Sequence, residues 1–244
     1  MVSKGFHEPV EKPKRFYKEV TVEPEGAGFA VKLDGRTVRT PKGGKLVLPT
    51  RALADLVAGE WAAQAEVIEL ADMHATRLAN TALEALPAAR EATVQSVAQY
   101  AGSDLLCYFA DQPAALADRQ VERWEPVLAR AEAEIAGAFV RASGIVHREQ
   151  PTETLARVRA LAGGLDDFRL TGLAFGAALF GSAILAIGLL RGWFSGEQAF
   201  ELSRLDEAYQ EEKWGVDAEA AERTAKLADE ARLLERWFRA LEAA

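Results

Sequence analysis

LTGLAFGAALFGSAILAIGLL, residues 170–190, holds 21 residues without a charge, and the architecture turns on where they sit. As one helix the stretch would extend roughly 31 Å, the scale of a bilayer's hydrocarbon core. Gly172 and Gly176 also have the spacing with which membrane helices pair. The residues therefore fit either a membrane span at 170–190 or a central helix buried on all sides. Against the span stand Gly172, Gly176, Gly181 and Gly188, with Thr171 and Ser182, which dilute the apolar character. Arg169 and Arg191 flank both ends, so neither side carries the basic excess that orients a span. The surrounding segments are amphipathic and able to cover a central helix. That balance favours burial and leaves the span as the alternative.

Downstream, Ser195-Gly196-Glu197-Gln198 has capping-box spacing and opens a helix. Leu202, Leu205 and Tyr209 form its apolar stripe, Trp214 sits near its end, and Gly215 is its stop. Asp217 caps a last helix to about Leu241, which buries Leu227, Leu233, Leu234, Trp237 and Phe238 in part. Upstream, Thr50 caps a helix through Leu53, Leu56, Val57 and Trp61. A joint covers 65–75. A second helix runs from Thr76 to Ala85 and stops before Pro87, and a third covers Ala88 to Tyr100. Asp104 to Ala110 is apolar and fits no single type. Pro113 to Ala138 reads as a long helix with Leu116, Val121, Trp124, Val127 and Leu128 on or near one face, and Thr152 to Leu161 as another, ended by Gly163-Gly164. Before Thr50 the pattern is β. Segments 16–22, 29–33, 36–40 and 45–48 are short and rich in β-branched or aromatic residues. Turns at Glu25–Gly28, Asp34-Gly35 and Pro41–Gly44 separate them. The expected fold class is α+β. A small N-terminal antiparallel β domain with a short leading arm spans 1–50, and a larger all-helical domain with a buried central helix spans 51–244.

Composition narrows the function. With 37 acidic and 29 basic residues the net charge is −8, the wrong sign for a nucleic-acid binder. The one basic cluster, Lys12, Lys14, Arg15 and Lys18, is balanced by Glu8, Glu11 and Glu19 and reads as a solvated arm. Cys107 is the only cysteine, which suits a reducing compartment, and its apolar setting points to a buried, inert thiol. The N-terminus resembles neither a secretory signal nor an intact transit peptide. A bacterial cytoplasm is expected, or a mitochondrial matrix if a leader has been removed. His7, His74 and His147 lie far apart and have no metal-ligand spacing with Cys107. Lys42-Gly43-Gly44-Lys45 reads as a hairpin turn rather than a phosphate cradle, and no nucleophile elbow or P-loop occurs. No catalytic residue, metal or cofactor is assigned.

Two polar clusters remain. Asp206 and Gln210 share one helix face, and Glu207 and Glu211 another. Paired carboxylates suit acid–base chemistry, a solvated face, or a patch for a basic partner. Like charges four residues apart repel, and an approaching basic partner would offset that cost. In Thr76-Arg77-Leu78-Ala79-Asn80-Thr81, Arg77 shares a face with Asn80 and Thr81, placed to pin the joint by hydrogen bonds or to meet a ligand.

The ordered set of segments resembles the ATP-twelve chaperone family, assembly factors for the F₁ head of ATP synthase. The resemblance rests on Arg15-Phe16-Tyr17-Lys18, Leu33-Asp34-Gly35-Arg36 with Thr40-Pro41, Glu60-Trp61-Ala62-Ala63-Gln64, the Thr76–Thr81 stretch and Asp104–Tyr108. Gln120 with Trp124 and Pro126, Gly181-Ser182 and Leu205–Gly215 complete it. It implies a soluble binding factor, a monomer without stable membrane insertion, that holds the free α subunit of F₁ and masks its surface for β without ATP. It places the family's important acidic residue at Glu207, with Asp206, Gln210 and Glu211 beside it as the partner-binding set. Trp61, Arg77, Asn80 and Trp214 are expected to be structural. His74 stands where the family often has Pro, and Phe109 where it has Arg, so no role of that arginine carries over.

Overall fold

The computed structural model describes residues 12–144 and 147–242, so His7, Glu8 and Glu11 lie outside the described residues. The N-terminal strands β1 (Val20–Glu25), β2 (Gly28–Leu33), β3 (Arg36–Thr37) and β4 (Val47–Leu48) form an antiparallel sheet. β1 begins at Val20 rather than Phe16 because Val20 already faces Leu33, the last residue of β2. Asp34 and Gly35 both have positive φ, +48° and +77°, the backbone twist a two-residue hairpin needs. β3 and β4 line the same edge of β2: Lys32 and Leu33 face Thr37 and Arg36, while Phe29 and Ala30 face Leu48 and Val47. Between them the chain leaves the sheet as a small hairpin, bridged at Arg39 and Lys45, with Gly43 at +87°. The Lys42–Lys45 glycines therefore make a turn.

Helix α1 (Arg51–Ala62) is capped by Thr50, whose hydroxyl oxygen accepts from the Leu53 amide at 3.1 Å. Leu53, Ala54, Val57 and Trp61 are buried along it, and α1 packs against β1 and β2. The next rod does not stop before Pro87, as the sequence suggested. α2 (His74–Asn80) passes through one π turn (Thr81–Ala85) directly into α3 (Leu86–Gly102). A proline inside an α-helix crowds the carbonyl four residues back and lacks a donor. Here the Leu86 amide reaches five residues back to the Thr81 carbonyl, and the wider turn accommodates the ring. The Asp104–Ala110 stretch becomes a single 3₁₀ turn followed by β5 (Tyr108–Phe109). After α4 (Ala114–Ile135), β6 (Ala142–Ser143) pairs parallel with β5, and α5 (Thr152–Gly163) follows. Along α4 the buried stripe is Leu116, Gln120, Trp124, Leu128, Ala131 and Ile135. Val121 is off it and 51% exposed.

The uncharged stretch is two helices, not one. α6 (Asp167–Phe180) ends at Gly181 with φ +62°, and Ser182 caps α7 (Ala183–Leu190) by accepting from the Leu185 amide at 3.0 Å. The two pack on each other, and every residue of α7 is buried. Among the described residues no helix is long and apolar enough to cross a membrane. Ser195 forms a complete capping box with Gln198 and starts α8 (Gly196–Ser203). The single helix expected from Ser195 to Gly215 breaks at Arg204, and α9 (Leu205–Trp214) sets off separately. Trp124 supplies a reason: its indole N–H donates to the Leu202 carbonyl at 3.0 Å, a carbonyl that an unbroken helix would use itself. Asp217 then caps α10 (Ala218–Glu242) through the Ala220 amide at 2.8 Å. One buried cluster runs from Tyr17 and Leu46 through α1, α6 and α7 to Trp237 and Phe238.

Candidate functional site

α9 is held on its inner side. Leu205 and Tyr209 are buried, and the Asp206 carboxylate accepts from the Gln120 side-chain amide at 2.6 Å. Gln120 is itself buried and takes the Ala110 amide at 2.7 Å, so Asp206 closes a hydrogen-bond chain between α4, the β5 segment and α9. Arg119 of α4 meets Glu212 with two bonds, 2.7 and 3.0 Å, and lies over the Tyr209 ring. The Arg119 bond holds the Glu212 carboxyl below the usual range. Arg204, at the break, pairs with Glu211 at 2.8 Å. The four expected partner-binding residues therefore divide. Asp206 turns inward and Glu211 is neutralised, while Glu207 and Gln210 are exposed and have no side-chain bond among the described residues. The like-charge cost between Glu207 and Glu211 is relieved by Arg204 within the chain. Beside Glu207 lies an open groove of about 490 Å³ with Leu105, Leu179, Phe200 and Leu227 among its walls. This rim position does not fit a carboxylate sealed in a substrate-sized cavity.

Trp61 is buried and its carbonyl accepts the Tyr17 hydroxyl at 2.7 Å, with the two rings edge to face. Arg77 donates to the Ala71 carbonyl, within the joint, at 3.1 Å. Asn80 does not share in this: its side-chain oxygen is buried without a partner among the described residues. Trp214, expected to be structural, is 81% exposed. The stronger pin is Glu60, which sequence reasoning passed over. Its carboxylate accepts from the amides of Ala75 and Thr76 at 2.7 and 2.8 Å and from the Thr76 hydroxyl at 2.8 Å, capping α2 from the end of α1. Gln64 adds a bond from the Glu69 amide at 2.6 Å. The Glu60–Gln64 motif, with Glu beside the tryptophan, was the available signal. Asp104 was missed in the same way. Fully buried, it accepts from the Ser182 hydroxyl at 2.6 Å and the Ile184 amide at 2.9 Å, joining the end of α3 to the start of α7.

His74 lies 3.3 Å from Glu230, and His147 bonds Tyr108 at 2.7 Å. Among the described residues no three His, Cys, Asp or Glu side chains converge as metal ligands would. Cys107 is buried, and desolvation pushes its thiol well above the ordinary range, which keeps it unreactive.

A family model described as ATP12 chaperone protein matches residues 14–132. The crystal structure of Atp12 from Paracoccus denitrificans superposes with a TM-score of 0.86 at 38% identity, covering 93% of this chain and 97% of that one. A crystal structure from Agrobacterium tumefaciens gives 0.88 at 40% identity, over 94% of this chain and 86% of that one. The mitochondrial protein atp12 of Schizosaccharomyces pombe is 23% identical over 228 residues, 88% of this chain and 78% of the relative.

Proposed function

The chain belongs to the ATP12 chaperone family, whose work is ATP synthase assembly, and from that membership we propose that it binds the free α subunit of the F₁ head. A free α subunit exposes the face destined for β, and exposed apolar surface aggregates. A factor covering that face suppresses self-association until β displaces it. The observation that carries this reading is the state of Glu207. It is the α9 carboxylate left without an ion pair or hydrogen bond among the described residues, on the outer face of a clamped helix and beside an apolar groove. An exposed carboxylate rimming apolar walls suits an exchangeable interface, in which charge steers encounter and burial holds the complex. Glu207 and Gln210 form the contact, and Asp206 and Glu211 keep the helix in place. The factor acts as a monomer and by binding alone, in a bacterial cytoplasm or a mitochondrial matrix; the relatives named above come from bacteria and a mitochondrion.

The test is Glu207→Lys against purified α subunit. Binding should weaken about tenfold, with a shallower salt dependence, while the thermal midpoint stays at the wild-type value. Equal affinity in an equally folded variant removes Glu207 from the interface.

A further inference from the structure

The outward face of α9 ends in an aromatic ring that the fold does not use. Trp214 is 81% exposed, and Val216, just past the Gly215 stop, is 50% exposed. Trp214 is seven positions after Glu207, close to two helical turns, so both lie on one face with Gln210 between them, about 10 Å apart along the axis. The buried side of α9 cannot rotate to hide this face, because Asp206 is bonded to Gln120, Glu211 to Arg204 and Glu212 to Arg119. The ammonium of Lys213, the preceding residue, sits 5.5 Å from the centre of the Tyr209 ring. A large apolar side chain held in water costs solubility and contributes nothing to packing. Tryptophan is also among the residues most enriched at the energetic centres of protein interfaces.

We propose that Trp214 is the apolar anchor of the surface on which Glu207 is the charged element. The partner it fits is a face of the F₁ α subunit that presents a basic side chain to Glu207 and, about 10 Å away, an apolar recess to the indole. The charge match at Glu207 fixes the register, and burial of the ring supplies the holding energy. This rests on the reading of α9 as the partner-facing helix.

The experiment uses the full chain and purified F₁ α subunit, with affinity and thermal midpoint measured for Trp214→Ala, Trp214→Phe and Glu207→Lys. Phe16→Ala, at an aromatic 74% exposed on the N-terminal part, controls for general stickiness. Trp214→Ala should raise Kd about thirtyfold with an unchanged midpoint, Trp214→Phe should fall between, and Phe16→Ala should bind as wild type. If Trp214→Ala binds as wild type while Glu207→Lys is impaired, the anchor is overturned and α9 keeps its role. Loss of affinity together with a lowered midpoint assigns the ring to folding and also overturns the anchor. If the wild type does not bind α at all, the anchor falls together with the proposed client.

Discussion

Asp104 shows how a single carboxylate can carry the corner of a fold. It has no solvent contact, and burial pushes its pKa from the ordinary 3.8 up to about 6, against the pull of donors from Ser182, Ile184 and Leu106. It is therefore charged at neutral pH and sits at the positive end of α7. The linkage has a definite sign. Below about pH 4 the group is protonated whether folded or not; as pH rises through 6 the unfolded chain releases the proton first, so this group's contribution to stability falls across that window. The stability gap between wild type and Asp104→Asn should narrow from pH 4 to pH 7 in urea titrations, and a constant gap would show that burial does not control this carboxyl. Glu60 is the parallel case with a local target. Glu60→Ala strands two amides and a hydroxyl at the start of α2, and should cost about 1–3 kcal/mol in denaturant unfolding. Neither role was legible in the sequence. Asp104 finds Ile184 80 residues away, a pairing with no spacing signature, whereas the caps at Thr50, Ser195 and Asp217 were readable because donor and acceptor sit within one turn.

At the scale of elements, close approach is set by small residues. A Cβ on Gly176 would meet Leu234 Cδ2 of α10 at 2.8 Å and the Ala186 Cβ of α7 at 3.1 Å. The glycine spacing that hinted at membrane pairing instead lets α10 lie against the α6–α7 hairpin. Gly176→Ala should lower stability by about 1–3 kcal/mol through overpacking. Gly163→Ala, with nothing among the described residues within 4 Å of the new methyl, should be neutral or slightly stabilising by calorimetry. The strands and most helices could be read because period and turn chemistry agree locally. The break at Gly181-Ser182 could not, although both residues are good terminators. In a run apolar on all sides no periodic phase exists to reset, so one helix and two look alike. The break at Arg204 has no terminator at all and depends on Trp124, a tertiary partner. The exposure of Trp214 was not legible either, because only the orientation of α9 shows that it faces water.

Taken whole, the molecule has no gap where the sequence changes from β to α at Thr50. α1 covers the sheet on one side and meets α10 on another, and the Thr50 hydroxyl donates to the Ala240 carbonyl at 2.6 Å, 190 residues away. The shift in composition coincides with the start of α1, and the helix that covers the sheet comes after that shift. Melting should therefore be one transition, with tryptophan fluorescence and far-ultraviolet dichroism coinciding; separated midpoints would show that the sheet unfolds independently. Cys107 lies inside the same continuous core. A lone sulfur sealed there is a built-in clock. An alkylating reagent can mark it only during the brief intervals when the interior parts, so the pace of labelling counts those openings in the native chain, with no engineered cysteine.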